Sequence, residues 1–413
     1  MVRGYGAAMI APHAIRIAAL AALLATPALA HAAPQQSSRI ERLVLLMRHG
    51  VRAPLNGEVP PATRTGQPWP HWEAPAEQVT PHGADALRAL ARADRRWFAA
   101  AGLVAPKGCP DAAAVRLWTN SSPRTIASGE AYAAGFAPGC TLAVGHRPEG
   151  QNDPIFEPLG AHPSAFDANR AIESITRYTG GAAALTKRHA AGLALLEQVL
   201  ACPNGPCSPV EPSSVRATED GHGIDFKGPI RAASGTAQVL MLQYLEGLPM
   251  AQVGWGRATP ARLEALGAVH GALFDVFSRP PYMAAFQMAP TVDRITQDLT
   301  AATAPKIDML IGHDTNVAAL AAVLGVPVKA PGFATNDPSP GGGIAIALVR
   351  GADGRRAVRL WYRSQSAADM RAARDRTAWM PLRLKGCDEG AEHRCPLPRF
   401  LKRLETATAP ARG

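Results

Sequence analysis

The sequence predicts an α/β protein with a three-layer core, in which helices flank a mostly parallel central sheet, together with a smaller inserted helical domain. Apolar strands that run into short polar loops recur at three places, and helical patterns follow or separate them. The stretch 145–262 is poorer in strand patterns and richer in helical ones, which predicts the inserted domain. The predicted core then comprises residues 38–144 and 263–408. A chain of 413 residues is long enough for two such units.

Three junctions between a strand and a polar loop organise the predicted core. Each begins with an apolar run typical of a buried strand. Ligands of α/β sheets bind beyond the carboxyl ends of the strands, so chemistry is expected in these loops. The junctions are residues 43–47 leading into Arg48-His49-Gly50-Val51-Arg52-Ala53-Pro54, residues 115–118 leading into Thr119-Asn120-Ser121-Ser122-Pro123-Arg124, and residues 307–311 leading into Gly312-His313-Asp314-Thr315-Asn316.

Local signals predict the remaining elements. Thr80-Pro81 marks a helix start and Gly102 its end, while Pro123 suits the first turn of a second helix. The turn sequence Gly351-Ala352-Asp353-Gly354 indicates a hairpin. The predicted helices span 81–101, 123–136, 182–200, 234–245 and 317–324, and the predicted hairpin strands span 343–349 and 357–362.

The N-terminal segment has the layout of a secretory signal peptide. Arg3 and Arg16 precede an apolar run at 17–25, and Ala28-Leu29-Ala30 supplies small residues for cleavage near Ala30. The alternative is a membrane anchor, but the run is shorter than the roughly 20 residues that a spanning helix needs. We therefore expect residues 1–30 to be removed and the mature protein to be soluble, away from the membrane, and periplasmic or secreted.

Export makes disulfides the expected state of the six cysteines. Cys202 and Cys207 flank a Pro-Asn-Gly-Pro turn, Cys387 and Cys395 flank a short polar loop, and Cys109 and Cys140 would remain, although spacing alone does not determine the pairing. The sequence has no CxxC pair and no cluster with metal-ligand spacing. No metal and no cofactor are expected.

The formal charge of +10 is compatible with anionic partners. The chain has no basic run of five or more and no interleaving of basic and aromatic residues, so nucleic acid is not an expected partner. The charge is permissive for small phosphorylated substrates. Nothing in the sequence indicates the oligomeric state.

The first loop carries the residues for phosphoryl transfer to a histidine. Arg48 and Arg52 flank His49, and arginine forks match phosphate oxygens bidentately. Their positive charge lowers the pKa of His49, which keeps the imidazole neutral and nucleophilic. Gly50 lets the backbone approach a ligand closely.

The third loop offers a proton donor. Beside a phosphate dianion the pKa of Asp314 is raised, so Asp314 can hold the proton that a leaving alkoxide needs. The structural alternatives are a core histidine at His313, a helix N-cap at Asp314 and a solvated cation at Arg124. The occurrence of such residues together at three strand ends favours the catalytic interpretation.

The Arg48–Pro54 motif, Arg124 and the Gly312–Asn316 motif resemble the histidine acid phosphatase family of the phosphoglycerate-mutase-like superfamily. The resemblance covers nearly the whole mature chain and is greatest to periplasmic glucose-1-phosphatases and phytases of Gram-negative bacteria. It implies an α/β core with a helical second domain, a metal-free phosphatase and a phosphohistidine intermediate. The implied roles are His49 as nucleophile, Asp314 as general acid, and Arg48, Arg52, Arg124 and His313 as phosphate-binding residues.

The resemblance also bears on the disulfides and the substrate. Cys109, Cys140, Cys387 and Cys395 fall where the family has disulfides, so we expect the pairs Cys109–Cys140, Cys202–Cys207 and Cys387–Cys395. Leu55-Asn56 stands where phytase-like relatives often carry Lys, which favours sugar phosphates such as glucose 1-phosphate over phytate. Gly343 replaces a charged residue of relatives. The alternatives are a phytase, a phosphotransferase and a non-catalytic binding protein; the last would be expected to lose His49 or Asp314.

Overall fold

The computed structural model describes residues 38–390 and 392–412, so the predicted signal peptide lies outside the described residues. The strands are β1 (Arg39–Arg48), β2 (Val115–Thr119), β3 (Val144–Gly145), β4 (Ser214–Ala217), β5 (Ile224–Lys227), β6 (Ile307–Gly312), β7 (Gly343–Arg350), β8 (Arg356–Ser364), β9 (Ala378–Leu382) and β10 (Cys395–Pro396). The helices are α1 (Pro81–Ala100), α2 (Pro123–Phe136), α3 (Pro158–Ala161), α4 (Ala168–Thr179), α5 (Ala182–Arg188), α6 (Ala190–Leu200), α7 (Pro229–Leu245), α8 (Pro260–Phe277), α9 (Pro281–Thr300), α10 (Asp314–Leu324), α11 (Ala367–Arg371) and α12 (Leu397–Thr408).

The central sheet is mixed, with order β10-β8-β7-β1-β6-β2-β3 and β9 beside β8. Strands β1, β6, β2 and β3 are parallel to their neighbours in this part of the sheet, whereas β7 to β10 pair antiparallel. Side chains alternate along β1: Val44 and Leu46 pack in the core of one face, and Leu43, Leu45 and Met47 pack in the core of the other. The predicted α/β class, with helices against both faces of the sheet, is confirmed.

Most predicted elements occur where the sequence places them. Helix α1 follows an N-cap at Thr80, whose Oγ1 accepts a hydrogen bond from the amide of Gly83. The predicted hairpin forms between β7 and β8, with Arg350 paired to Arg356 at the turn. The prediction of one helix over 182–200 is wrong in detail, because the helix is interrupted at His189. The His189 amide donates to the carbonyls of Leu185 and Thr186, which ends α5.

Helix α7 begins five residues earlier than predicted, since Pro229 occupies its first turn. The segment 145–262 contains α3 to α7 and the two-stranded sheet β4–β5. Its boundaries as an inserted domain stay a prediction.

The three predicted disulfides are confirmed, with Cα atoms 5.5 Å apart in Cys109–Cys140, 5.7 Å in Cys202–Cys207 and 4.9 Å in Cys387–Cys395. Within the described ranges, no helix combines the length and apolar character that crossing a bilayer requires.

The sheet brings the three polar loops together. Arg48 at the end of β1 is in register with Gly312 of β6, and Thr119 of β2 is in register with Ile311. The amide of His49 donates to the carbonyl of Gly312 at 2.9 Å. Because these strands are parallel, their carboxyl ends lie at one edge, and all three loops begin there.

Candidate active site

His49 is buried, with 3% of its surface exposed. Its Nδ1 lies 2.8 Å from the carbonyl oxygen of Gly50. A carbonyl can only accept, so Nδ1 carries the proton and Nε2 keeps its lone pair. Burial, followed by the charges of Arg48 and Arg52, holds the pKa of His49 well below its ordinary value. The ring is therefore neutral even in acidic solution, which is the state that a nucleophilic imidazole requires.

Close packing fixes the loop around His49. A Cβ at Gly50 would lie 2.5 Å from a methyl carbon of Leu87, so a larger residue there would force the buried Leu87 side chain to shift. The Gly50 amide donates to the Ser128 hydroxyl at 3.0 Å, and the His49 carbonyl accepts from the Gly341 amide at 2.9 Å. These contacts hold the nucleophile against α1, α2 and the segment before β7.

Arg48 is almost fully buried beneath the site, with 1% of its surface exposed. Nη1 donates to the carbonyl of Pro338 at 2.6 Å, and Nη2 lies 2.9 Å from Oδ2 of Asp314. Arg48 thus joins the predicted phosphate clamp to the predicted general acid.

Arg52 forms a two-pronged ion pair with Glu58. Nη1 donates to Oε2 at 2.7 Å and Nη2 donates to Oε1 at 2.9 Å. Oε2 also accepts from the amide of Leu55 at 2.7 Å. Glu58 therefore fixes the guanidinium plane and closes the loop that carries it.

Arg124 lies in the first turn of α2 and reaches across to the third loop. Its Nη2 is 3.4 Å from Nε2 of His313, and its Nη1 is 3.4 Å from Oε2 of Glu77. Burial and the neighbouring charge of Arg52 lower the pKa of Arg124, although Glu77 opposes this. The predicted clamp residue is thus close to the other site residues and is not a solvated cation.

His313 precedes α10, and its amide donates to Oδ1 of Asn316 at 2.8 Å. Its ring centroid lies 5.7 Å from that of His49. Burial, followed by the charge of Arg124, lowers the pKa of His313 to about 3, so the ring is neutral. Because Arg124 can only donate to Nε2, the proton belongs on Nδ1, which makes Nδ1 a hydrogen-bond donor.

Asp314 is the first residue of α10, and the cap position belongs to His313, so the alternative of Asp314 as an N-cap is wrong. Its side chain is 19% exposed. Burial on its own would raise the pKa of Asp314, but Arg48 and then His270 hold that pKa well below its ordinary range. The carboxylate is ionised in the free site. The raised pKa expected from the sequence applies to a site that also holds a phosphate dianion.

Besides Nη2 of Arg48, which has only its ion-pair contact with Asp314, four buried side-chain nitrogens at the site lack a hydrogen-bond partner. Among the described residues, no group accepts from Nε of Arg48, Arg52 or Arg124 or from Nδ1 of His313. An unpartnered buried donor costs about 1–3 kcal/mol, so native proteins rarely keep several together without a function. A tetrahedral anion with several acceptor oxygens matches this set of donors.

None of the candidate site residues belongs to the group of described residues that lie close enough together to hold a metal ion. Within 38–390 and 392–412, the grouping with metal-ligand proximity is Glu197, Cys202 and Cys207, and both of its sulfurs form a disulfide. It offers no thiolate ligand.

Several residues around the site were missed in the sequence. Glu58 and Glu77 pair with clamp arginines, and the Ser122 hydroxyl lies 3.5 Å from Nε2 of His313. Nδ1 of His270 donates to Oδ1 of Asp337 at 2.7 Å, and His270 acts electrostatically on Asp314. Acidic residues in a Pro-rich loop carry no pattern that distinguishes them, whereas Ser122 belongs to the second polar loop and could have been included.

Gly343 has a backbone reason for being glycine. A Cβ there would lie 2.5 Å from the carbonyl oxygen of Leu46 and 2.7 Å from Cβ of Met47. Strands β1 and β7 approach too closely for a side chain at this position.

The fold and the site together define a histidine-type phosphoric monoester hydrolase. The sequence model described as Histidine phosphatase superfamily (branch 2) matches residues 39–172. The phytase AppA of Escherichia coli K12 is 30% identical over 419 residues, which cover 94% of this chain and 96% of that protein. The glucose-1-phosphatase of Salmonella typhimurium is 29% identical over 416 residues, which cover 95% and 98%.

Solved structures agree with these relatives. The phytase of Hafnia alvei in complex with tartrate superposes with a TM-score of 0.83 at 28% identity, covering 91% of this chain and 98% of that one. The phytase of Citrobacter braakii gives a TM-score of 0.80 at 26% identity, covering 90% and 99%. The chain belongs to the histidine phosphatase superfamily, branch 2, and the resemblance noted from its motifs is confirmed.

Proposed function

We propose that this protein hydrolyses phosphate monoesters of small alcohols, sugar phosphates such as glucose 1-phosphate, through a phosphohistidine on His49. The observation that carries the proposal is the set of four unpartnered donors beside a neutral imidazole. Nε of three arginines and Nδ1 of His313 would bind the phosphoryl oxygens and stabilise their charge in the transition state.

The reaction has two steps. Nε2 of His49 attacks phosphorus, the bond from phosphorus to the ester oxygen breaks, and the leaving oxygen takes the proton of Asp314. Asp314, now a carboxylate, takes a proton from water as that water attacks the phosphohistidine. The phosphorus–nitrogen bond breaks, inorganic phosphate is released, and His49 is again neutral.

Substrate binding would cause Asp314 to take up the proton that the first step needs. In the free site Asp314 is ionised because Arg48 lies 2.9 Å away. A phosphoryl dianion adds negative charge next to Asp314 and shares the guanidinium of Arg48. Both effects raise the pKa of Asp314, so binding of the ester is coupled to proton uptake.

The residues after the motif support a small, singly phosphorylated substrate. Leu55 and Asn56 offer no cation for additional phosphates, and the Leu55 amide is used by Glu58. The alternative, a phytase, is supported by the relatives, which include a phytase and a glucose-1-phosphatase at nearly equal identity.

Export fits the same proposal. Three disulfides join six cysteines, which is typical of proteins that fold in an oxidising compartment. The proposed signal peptide at 1–30 would deliver the enzyme to the periplasm or the medium. Cell fractionation with N-terminal sequencing tests this, and an uncleaved cytosolic protein would refute it.

The test of function is a substrate panel with the purified mature protein: glucose 1-phosphate, phytate and 4-nitrophenyl phosphate. We expect glucose 1-phosphate to give the higher kcat/KM of the two natural esters. His49→Ala should abolish turnover with an unchanged melting temperature, and acid-quenched wild-type enzyme should carry labelled phosphate on His49. Label on serine or aspartate would overturn the mechanism.

A further inference from the structure

The clamp arginines do not form an open basic surface. Each of them pairs with one carboxylate, so their positive charges are balanced one for one. The arginine atoms that keep no hydrogen-bond partner for a phosphoryl group include the buried Nε atoms of all three residues. The three ion pairs are Arg48–Asp314 at 2.9 Å, Arg52–Glu58 at 2.7 Å and Arg124–Glu77 at 3.4 Å.

Glu77 is the most exposed of these carboxylates. Its side chain is 42% exposed, compared with 8% for Glu58 and 19% for Asp314. The side chain of Arg124, its partner, is only 16% exposed. Glu77 thus lies nearer to solvent than the arginine it pairs with, on the exposed side of the clamp.

The backbone of Glu77 is held in an unfavourable conformation. Its φ is 71°, in the left-handed region that favours glycine. The Glu77 amide donates to Pro54 at 3.1 Å, and the amide of Ala53 donates to Gln78 at 3.0 Å, so this turn is fixed to the loop of the nucleophile. Backbone strain that surrounding contacts maintain is typical of functional positions.

We propose that Glu77 determines specificity by selecting against substrates that carry phosphate groups in addition to the reacting one. This inference rests on the proposed function of the same site. An ester of a neutral alcohol brings its charge only to the buried donors beside His49. A polyphosphorylated substrate also brings anionic groups to the exposed side of the clamp, where Glu77 lies, and exposed charges interact over a Debye length of roughly 8 Å. Their repulsion by Glu77 is the unfavourable interaction that discriminates.

The test compares the binding of a molecule that carries several anionic groups with the binding of a single small anion. Glu77→Gln removes the charge and keeps the shape, and Glu173→Gln is the matched control, because Glu173 is 72% exposed on α4 and pairs with Arg177. The probes are myo-inositol hexakissulfate, a non-hydrolysable polyanion, and inorganic sulfate. Titration calorimetry at low salt and about pH 6, where unperturbed carboxylates are ionised, gives both dissociation constants.

We expect Glu77→Gln to bind the hexakissulfate roughly tenfold more tightly and inorganic sulfate less than about threefold more tightly, with the difference shrinking in high salt. Glu77→Gly should change the two dissociation constants in the same way. Its melting temperature should be no lower than that of the wild-type protein, because glycine adopts this φ freely. Equal changes for both anions, no change, or the same change in Glu173→Gln would overturn the inference. Failure of the proposed function is a separate result, since it would show as absence of turnover of every ester in wild-type enzyme.

Discussion

Replacing Asp314 with Asn separates proton donation from binding. Asn keeps the size of the side chain and an oxygen that can accept from Arg48, but it has no proton to transfer. An alkyl alcohol leaves poorly as an alkoxide, whereas nitrophenolate leaves readily without help. We therefore expect kcat for glucose 1-phosphate to fall on the order of 10²–10⁴-fold and kcat for 4-nitrophenyl phosphate to fall clearly less.

The structure also bounds the effect on stability. Asp314 pairs with Arg48, which keeps its hydrogen bond to Pro338 in the variant. The amide oxygen of Asn can replace one acceptor, so the free energy of unfolding should fall by about 1–3 kcal/mol rather than by the cost of an isolated buried charge. Asp85→Asn, at a side chain that is 65% exposed, is the control for a surface carboxylate.

The assay is kcat for both esters together with a melting curve for each protein. Equal rate losses on the two esters would refute the assignment of Asp314 as general acid. A purely structural role would lower the melting temperature and reduce both rates by a similar factor.

Three further predictions follow from the clamp and the histidines. Lys at position 48, 52 or 124 should lower kcat/KM by roughly 10²-fold or more, because Lys cannot reproduce the arginine fork, and near wild-type rates in all three variants would contradict a shared site. Glu58→Gln should lower kcat/KM for every ester by about tenfold, because Arg52 loses its bidentate ionic partner, and unchanged kinetics would show that Glu58 does not position Arg52. The pKa of His313 is about 3 in the folded protein and 6.5 ordinarily, so its contribution to stability is present above about pH 6.5 and is lost as the pH falls towards 3. Melting temperatures measured between these values should fall more steeply for wild-type protein than for His313→Asn, and parallel curves would refute this.

Much of the fold and the principal site residues were predictable because their signals are local. A continuous apolar run such as 43–47 forms a buried strand whatever surrounds it, and Thr80-Pro81 begins a helix because a side chain caps it and proline fits its first turn. The motif around His49 places a candidate nucleophile between two candidate phosphate-binding arginines within five residues. Such short-range patterns are legible without tertiary structure.

The sequence by itself determined the α/β class and the three polar loops, and it predicted the chemistry proposed for His49, Arg48, Arg52 and Asp314. Only the tertiary structure decided how these charges are balanced, because that depends on distance in space and not along the chain. The Arg48 guanidinium bonds to a carbonyl 290 residues away, and Arg124 contacts a histidine 189 residues away. The pairing of Arg52 and Arg124 with Glu58 and Glu77 likewise requires loops that fold back onto the end of the sheet. Burial at that edge, which no local pattern reports, is what keeps both active-site histidines neutral.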